Sequence, residues 1–336
     1  MRVAAKAVKY QLYGVTVASA IALRGVRRSS SHGPPRISIE LGAAPGGDPL
    51  DAFHSWRVPG RRSRPWLSIG RIADGYRLRF PDMADFEVST AGDRITCRPV
   101  ARLARSTLRH LLLDQVLPLA LSRSGRLVLH ASAVHVPLLG SVAFVGPTGC
   151  GKSTLAAALG LRGCQVMTDD CLVVYHGEKS AENPASLAVP GYPGLRLWRD
   201  SARGLGLERE AATHVAHYTT KRRLVTGAVK FRTSPSPISA VFVLGRRRRP
   251  SESARTRALG SRDRLMSLAP YTYVMDVEDR RQLSQMFRSL ATLAAHVPIV
   301  RLSVPDSRRR VLETAVEVLD VARVLTSKPN DSVRSR

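Results

Sequence analysis

The chain has 336 residues, with 52 lysines and arginines against 26 acids, a formal net charge of +26. An apolar fraction of 44% excludes a disordered polyelectrolyte, and the length allows one large domain or two ordinary ones. The charge is spread, 20 bases against 9 acids in residues 1–125 and 32 against 17 beyond, and aromatics are only 5%. A nucleic-acid stripe interleaved with aromatics is therefore not expected, although weak attraction to acidic partners is. Cys97, Cys150, Cys164 and Cys171 show no zinc-type spacing and suit a reducing compartment without disulfides.

In chain order, the apolar run Val15–Leu23 superficially resembles a signal peptide, but it is short and Arg24, Arg27 and Arg28 follow it. It reads as a core strand or helix. Arg36–Leu41 and Tyr76–Phe80 alternate at period two, and Phe86–Val88 leads toward Arg94–Cys97, all strand signals with turn punctuation. The Gly-, Pro- and Arg-rich stretch Gly42–Pro65 reads as a long surface loop. From Ser106 to Ala120 the period becomes helical, and Pro118 is expected to end or kink the helix. The chain thus divides into a β-rich N-terminal unit (1–105), a connecting helix (106–124), a mixed α/β unit (125–326) and a disordered tail (327–336). Within the third part, Leu127–Val134 and Ser141–Val145 read as strands, then Cys164–Thr168, Leu172–Tyr175 and the buried run Ser239–Leu244. Helices near Arg281–Ala295 and Arg308–Leu325 close the chain, the second capped by Asp306 or Ser307.

The most informative stretch is Gly146-Pro147-Thr148-Gly149-Cys150-Gly151-Lys152-Ser153, which matches the phosphate-loop pattern G-x-x-x-x-G-K-[ST] between a predicted strand and a helix beginning at Thr154. Glycines let successive N–H groups turn inward, and the helix adds the positive end of its dipole. Lys152 supplies a mobile charge for β- and γ-phosphates, and Ser153 a hydroxyl for Mg²⁺.

Thr168-Asp169-Asp170 ends a strand one helix and one strand beyond the loop, where topology returns both acids toward it. One Asp with Ser153 and phosphate oxygens makes a sufficient Mg²⁺ shell, and the other Asp can orient or deprotonate a hydroxyl. His130, on the preceding strand, is placed to tune that base. Arg196 and Lys221 are candidates to neutralise phosphate from other loops, against the default of solvated bases.

Leu129-His130-Ala131-Ser132-Ala133-Val134, the phosphate loop through Thr154, and Thr168-Asp169-Asp170 together resemble the catalytic domain of HPr kinase/phosphorylase. The resemblance is closest to the HPr-kinase-like proteins of peptide-tailoring clusters, including lasso peptide kinases. Pro190–Trp198 and Lys221–Leu224 also look like that subgroup, so the resemblance covers roughly residues 125–245. It implies a phosphoenolpyruvate-carboxykinase-like α/β core and transfer of the ATP γ-phosphate to serine. In those terms residues 146–154 and Lys221 bind nucleotide, Lys152 holds phosphates and Ser153 binds Mg²⁺. Asp169 matches the general base, Asp170 the neighbouring acidic metal position, and His130 the histidine near the base. No later Glu-Ile-Arg-Gly signature is present, which counts against phosphorolysis and against HPr itself as acceptor.

The expectation is a cytoplasmic ATP- and Mg²⁺-dependent kinase acting on a serine of a small protein or peptide, without a specific nucleic-acid or membrane partner. The number of subunits stays open, a homo-oligomer included. A small-molecule kinase, a non-catalytic nucleotide-dependent binding protein and, more weakly, a nucleic-acid-stimulated ATPase are the rivals.

Overall fold

Residues 7–57, 65–177, 185–210, 212–225, 227–245, 247–307 and 309–327 are described by the structure, a computed structural model. The tail expected to be disordered lies, from residue 328 on, outside the described residues. Contacts divide the chain into two compact units. The first holds Met1–Arg126 with the segments Val215–Thr219 and Tyr273–Leu283; the second holds Leu127–His214, Thr220–Thr272 and Ser284–Arg336.

Period-two alternation builds the first unit. Its eight strands are β1 (Val8–Leu12), β2 (Val15–Ser19), β3 (Ile37–Leu41), β4 (Ala52–Trp56), β5 (Leu67–Ile72), β6 (Gly75–Phe80), β7 (Ala84–Ser89) and β8 (Arg94–Pro99). They form one sheet in the order β1-β2-β3-β8-β7-β6-β5-β4. Ile37 and Ile39, Tyr76, Leu78 and Phe80, and Phe86 and Val88 turn to its buried face. The run Val15–Leu23 contributes β2 and not a helix. Gly42–Pro65 is not all loop, because it contains β4, antiparallel to β5.

The helical stretch runs further than its proline suggested. It comprises α1 (Arg105–His110), a π-helical segment (Leu111–Val116) and α2 (Leu117–Arg123). Pro118 falls in the first turn of α2, where a missing N–H costs little, so the chain stays helical to Arg123. Segment Tyr273–Leu283 is held by Asp276, which accepts from Arg71 Nε (3.0 Å) and Nη2 (2.9 Å) and from the Tyr76 hydroxyl (3.1 Å).

In the second unit, β9 (Leu127–Leu129), β10 (Ala131–Val136), β11 (Gly140–Val145), β12 (Gln165–Thr168), β13 (Leu172–Gly177), β14 (Ala185–Val189), β18 (Lys230–Phe231) and β19 (Ser236–Leu244) follow the order β18-β12-β10-β11-β19-β14-β13-β9. β20 (Arg255–Ala258) pairs β21 (Ile299–Ser303), which lies beside β19. β15 (Leu195–Leu197), β16 (Ala212–His214) and β17 (Arg222–Leu224) form a small separate sheet. β11, β19 and β21 run parallel. β10 is antiparallel to both β11 and β12, so β12 shares the direction of β11.

Alternate residues go to opposite layers. Val142, Phe144 and Phe242 pack with α3 (Lys152–Leu161) and α7 (Val311–Ser327), through Leu155, Ala315 and Val318. Ala143, Val145 and Val243 pack with α5 (Ser261–Leu268) and α6 (Arg280–His296), through Leu268, Leu290 and Leu293. A short α4 (Arg199–Gly204) follows β15. The result is mixed α/β, a large sheet with helices on both faces. Among the described residues no helix is long and apolar enough to cross a membrane.

Candidate functional site

The run Leu127–Val134 is not one strand. It breaks at His130: β9 pairs with β13, while β10 pairs with β11 and β12. The facing strands β13 and β12 break at the same level, with Leu172 opposite Leu129 and Thr168 opposite Ala133. Residues 130–132 and 169–171 therefore face each other. Ala131 is opposite Val145, the last residue before the glycine-rich loop Gly146–Ser153, so both breaks open onto that loop.

The loop itself depends on glycine. Gly146 has φ +151°, and a Cβ there would lie 2.9 Å from Cys150 Sγ and 3.0 Å from Leu244 Cβ. Gly151, at φ +107°, turns the chain into the first residue of α3. Lys152, only 5% exposed, donates from Nζ to the carbonyls of Gly146 (2.8 Å) and Pro147 (3.1 Å). Burial lowers its pKa, against the opposing pull of Cys150, Asp170 and Asp169.

Lys152, Ser153, Thr148, His130, Asp170, Arg196, Lys221 and Arg247 line one cavity of about 60 Å³. Thr154, Gly149 and Gly151 line it as well, whereas Gly146, Pro147 and Cys150 do not. Four of the lining side chains are cationic and, among the described residues, one is a carboxylate. Beside a glycine-rich loop and a helix N-terminus, that set of cations fits a polyphosphate. For a hard cation the chain offers the Ser153 hydroxyl and Asp170. Among the described residues no group of three His, Cys, Asp or Glu could hold a metal unaided, so phosphate oxygens and water would complete such a shell.

The two acids are separated by environment. The Asp169 side chain is fully enclosed: Oδ1 accepts from Ser132 Oγ (2.7 Å) and Oδ2 from the Arg196 N–H (2.7 Å). Burial first, then the Asp170 charge, raises its pKa. Asp169, expected to take a hydroxyl proton, is not among the residues that line the cavity, and each of its oxygens already accepts one hydrogen bond.

Asp170 is the acid that faces the cavity, with its side chain 15% exposed. Its backbone is left-handed (φ +77°), a conformation Asp tolerates better than most residues, in a turn closed by Thr168 Oγ1 donating to the Cys171 carbonyl (2.5 Å). Arg196 ties the pair together. Its Nη1 donates to the Asp169 carbonyl (2.6 Å), its Nε lies 3.5 Å from Asp170 Oδ2, and Nη2 donates to the Tyr192 hydroxyl. His130 Nδ1 lies 3.1 Å from the Asp170 carbonyl; a carbonyl only accepts, so Nδ1 carries the hydrogen. Burial, then the Lys152 charge, lowers the His130 pKa. Lys221 Nζ sits 5.4 Å from the Trp198 ring centroid.

Sequence reasoning missed Ser132, Trp198 and Arg247. Ser132 and Trp198 were within quoted motifs without a role. Arg247 was hidden in the basic run Arg246–Arg249; its Nη2 donates to the Gly149 carbonyl (3.3 Å).

The sequence matches no protein-family model and no curated protein. Among solved structures, the HPr(Ser) kinase/phosphatase from Coxiella burnetii resembles the chain at 12% identity and a TM-score of 0.28, covering 59% of this chain and 98% of that one.

Proposed function

We propose that this chain is an ATP- and Mg²⁺-dependent kinase that transfers the γ-phosphate to a serine hydroxyl of a small protein or peptide. One observation carries the reading: Lys152 and Ser153 of a phosphate-loop sequence share a cavity with Asp170, which is held there by a left-handed turn. With Asp169 enclosed, both jobs expected of the acid pair fall to Asp170. The acceptor oxygen bonds to the γ-phosphorus, the bond to the β–γ bridging oxygen breaks with its electrons leaving on ADP, and the hydroxyl proton passes to Asp170. Lys152, Lys221 and the loop N–H groups stabilise charge spread over the transferred group, which supplies most of phosphoryl-transfer catalysis. Mg²⁺, held by Ser153 and Asp170 with phosphate oxygens, would neutralise phosphate charge. Arg196 and Asp169 act as positioning residues behind Asp170. The serine acceptor comes from the motif resemblance alone.

The test is label transfer from γ-³²P-ATP with Mg²⁺ to panels of serine peptides and of small-molecule alcohols. Labelled peptide, lost on omitting Mg²⁺, is expected. Label on metabolites only would replace the peptide acceptor with a small molecule, and ATP binding without transfer or hydrolysis would make the chain a binding protein.

A further inference from the structure

We infer that the nucleoside end of the nucleotide lies in a second cavity of the same unit, on the opposite side of the phosphate loop from Asp170; this rests on the ATP reading above. That cavity measures about 470 Å³, within the rough 300–1,000 Å³ range of small-molecule sites. The cavity of about 60 Å³ is far too small for a base and sugar.

Sheet order gives the bound chain a direction. Asp170 follows β12, the phosphate loop follows β11, Arg247 follows β19, and Pro305 to Ser307 follow β21. Across the sheet these strands lie in the order β12-β10-β11-β19, with β21 beyond β19. β11, β19 and β21 are parallel, so their following loops gather at one edge, with the acid on one side of the phosphate loop and the larger cavity on the other. A triphosphate in the loop with its transferred end at Asp170 therefore points its other end toward β21. The two cavities adjoin: Gly149, Gly151, Thr154, Trp198, Ser201 and Arg247 line both.

The linings differ in charge. The small cavity is strongly cationic, whereas the larger one sets Arg199 and Arg247 against Asp200 and Asp306. Arg247 Nη1 lies 3.0 Å from Asp306 Oδ1, so part of that charge is internally neutralised. Leu155, Val304, Pro305 and Val311 supply apolar wall. A charge-balanced, half-apolar cavity suits an uncharged nucleoside with hydroxyl and amine donors, and it does not suit a second anion.

The experiment compares binding of Mg·ATP and of Mg·tripolyphosphate by calorimetry in the full chain and in Ser307→Trp and Thr220→Trp. These variants fill the larger cavity from two different loops. Expected are tighter binding of ATP than of tripolyphosphate by the unaltered chain, and an ATP affinity reduced at least about tenfold in both variants with tripolyphosphate affinity unchanged. Retained tripolyphosphate binding also reports that each variant is folded around its loop. ATP affinity unchanged in both variants overturns the nucleoside site and leaves the phosphate loop standing. Failure of the unaltered chain to bind either probe overturns the ATP reading itself, and the nucleoside site with it.

Discussion

In the first unit, Arg79 meets Asp85 across β6 and β7 (2.7 Å), and Arg77 and Arg98 share Glu87 at 2.9 and 3.1 Å. In the second, Lys152, Arg196, Lys221 and Arg247 converge on one small cavity beside Asp170. Both units draw on the same surplus of basic residues. The first pairs arginines with acids on neighbouring strands and uses them to hold a sheet, while the second concentrates cations where a polyanion would sit. Net charge alone cannot tell these uses apart; the placement of the acids does.

The comparison is broken most severely at Asp170. Asp170→Asn keeps the left-handed turn, because Asn tolerates it as Asp does, and should lower turnover by roughly 10²–10⁴-fold, with affinity for metal-free ATP retained and affinity for Mg·ATP reduced by the loss of one metal ligand. Single-turnover kinetics beside calorimetry would check it, and full activity in this variant would remove Asp170 from the chemistry. Lys152→Ala should weaken ATP binding and cost about 10²–10³-fold in turnover, the scale of losing one stabilising donor. Unchanged ATP affinity there would contradict the phosphate-loop assignment.

On the other side of the comparison, Arg79→Ala strands a nearly buried carboxylate at Asp85 and should cost about 3 kcal/mol in urea unfolding, with ATP affinity untouched. A change in nucleotide affinity instead would mean that the sheet's ion pairs serve the site. The smallest effect concerns pH. Asp279 has its pKa lowered first by the hydrogen bond from Arg123 and then by the N–H of Gln282. A depressed carboxylate contributes stability above its unfolded pKa of about 3.9 and loses it as pH falls through the lower folded value. Arg123→Gln should therefore flatten the acid limb of the stability curve below about pH 4, by about 1 kcal/mol or less.

Local signals carried much of this molecule. The glycine spacing, the lysine and serine after it, and the strand before it made the turn from β11 into α3 legible, because backbone needs dictate residue type there. The alternation in Arg36–Leu41 and Tyr76–Phe80 made their strands legible for the same reason. The break at His130 was not legible, since Leu127–Val134 is an unbroken run of strand-compatible residues and only its partners, β13 on one side and β11 and β12 on the other, divide it. Nor could adjacency in sequence tell Asp169 from Asp170. Their difference arises from a Ser132 hydroxyl 37 positions away and an Arg196 N–H 27 positions away. Arg247 looked like one solvated base among four, and only tertiary placement brings it to Gly149.

The left-handed backbone at residue 170 also restricts where this chain can drift. Glycine, asparagine and aspartate sit in that region most readily, and of the three only aspartate carries charge. A longer acid gains no advantage from keeping the charge if it must strain the turn, so Asp170→Glu is not a conservative exchange. The easy departures are to Asn and Gly, which preserve the turn and leave the loop Gly146–Ser153 untouched. One base change in the gene thus suffices to remove the charge that this turn carries.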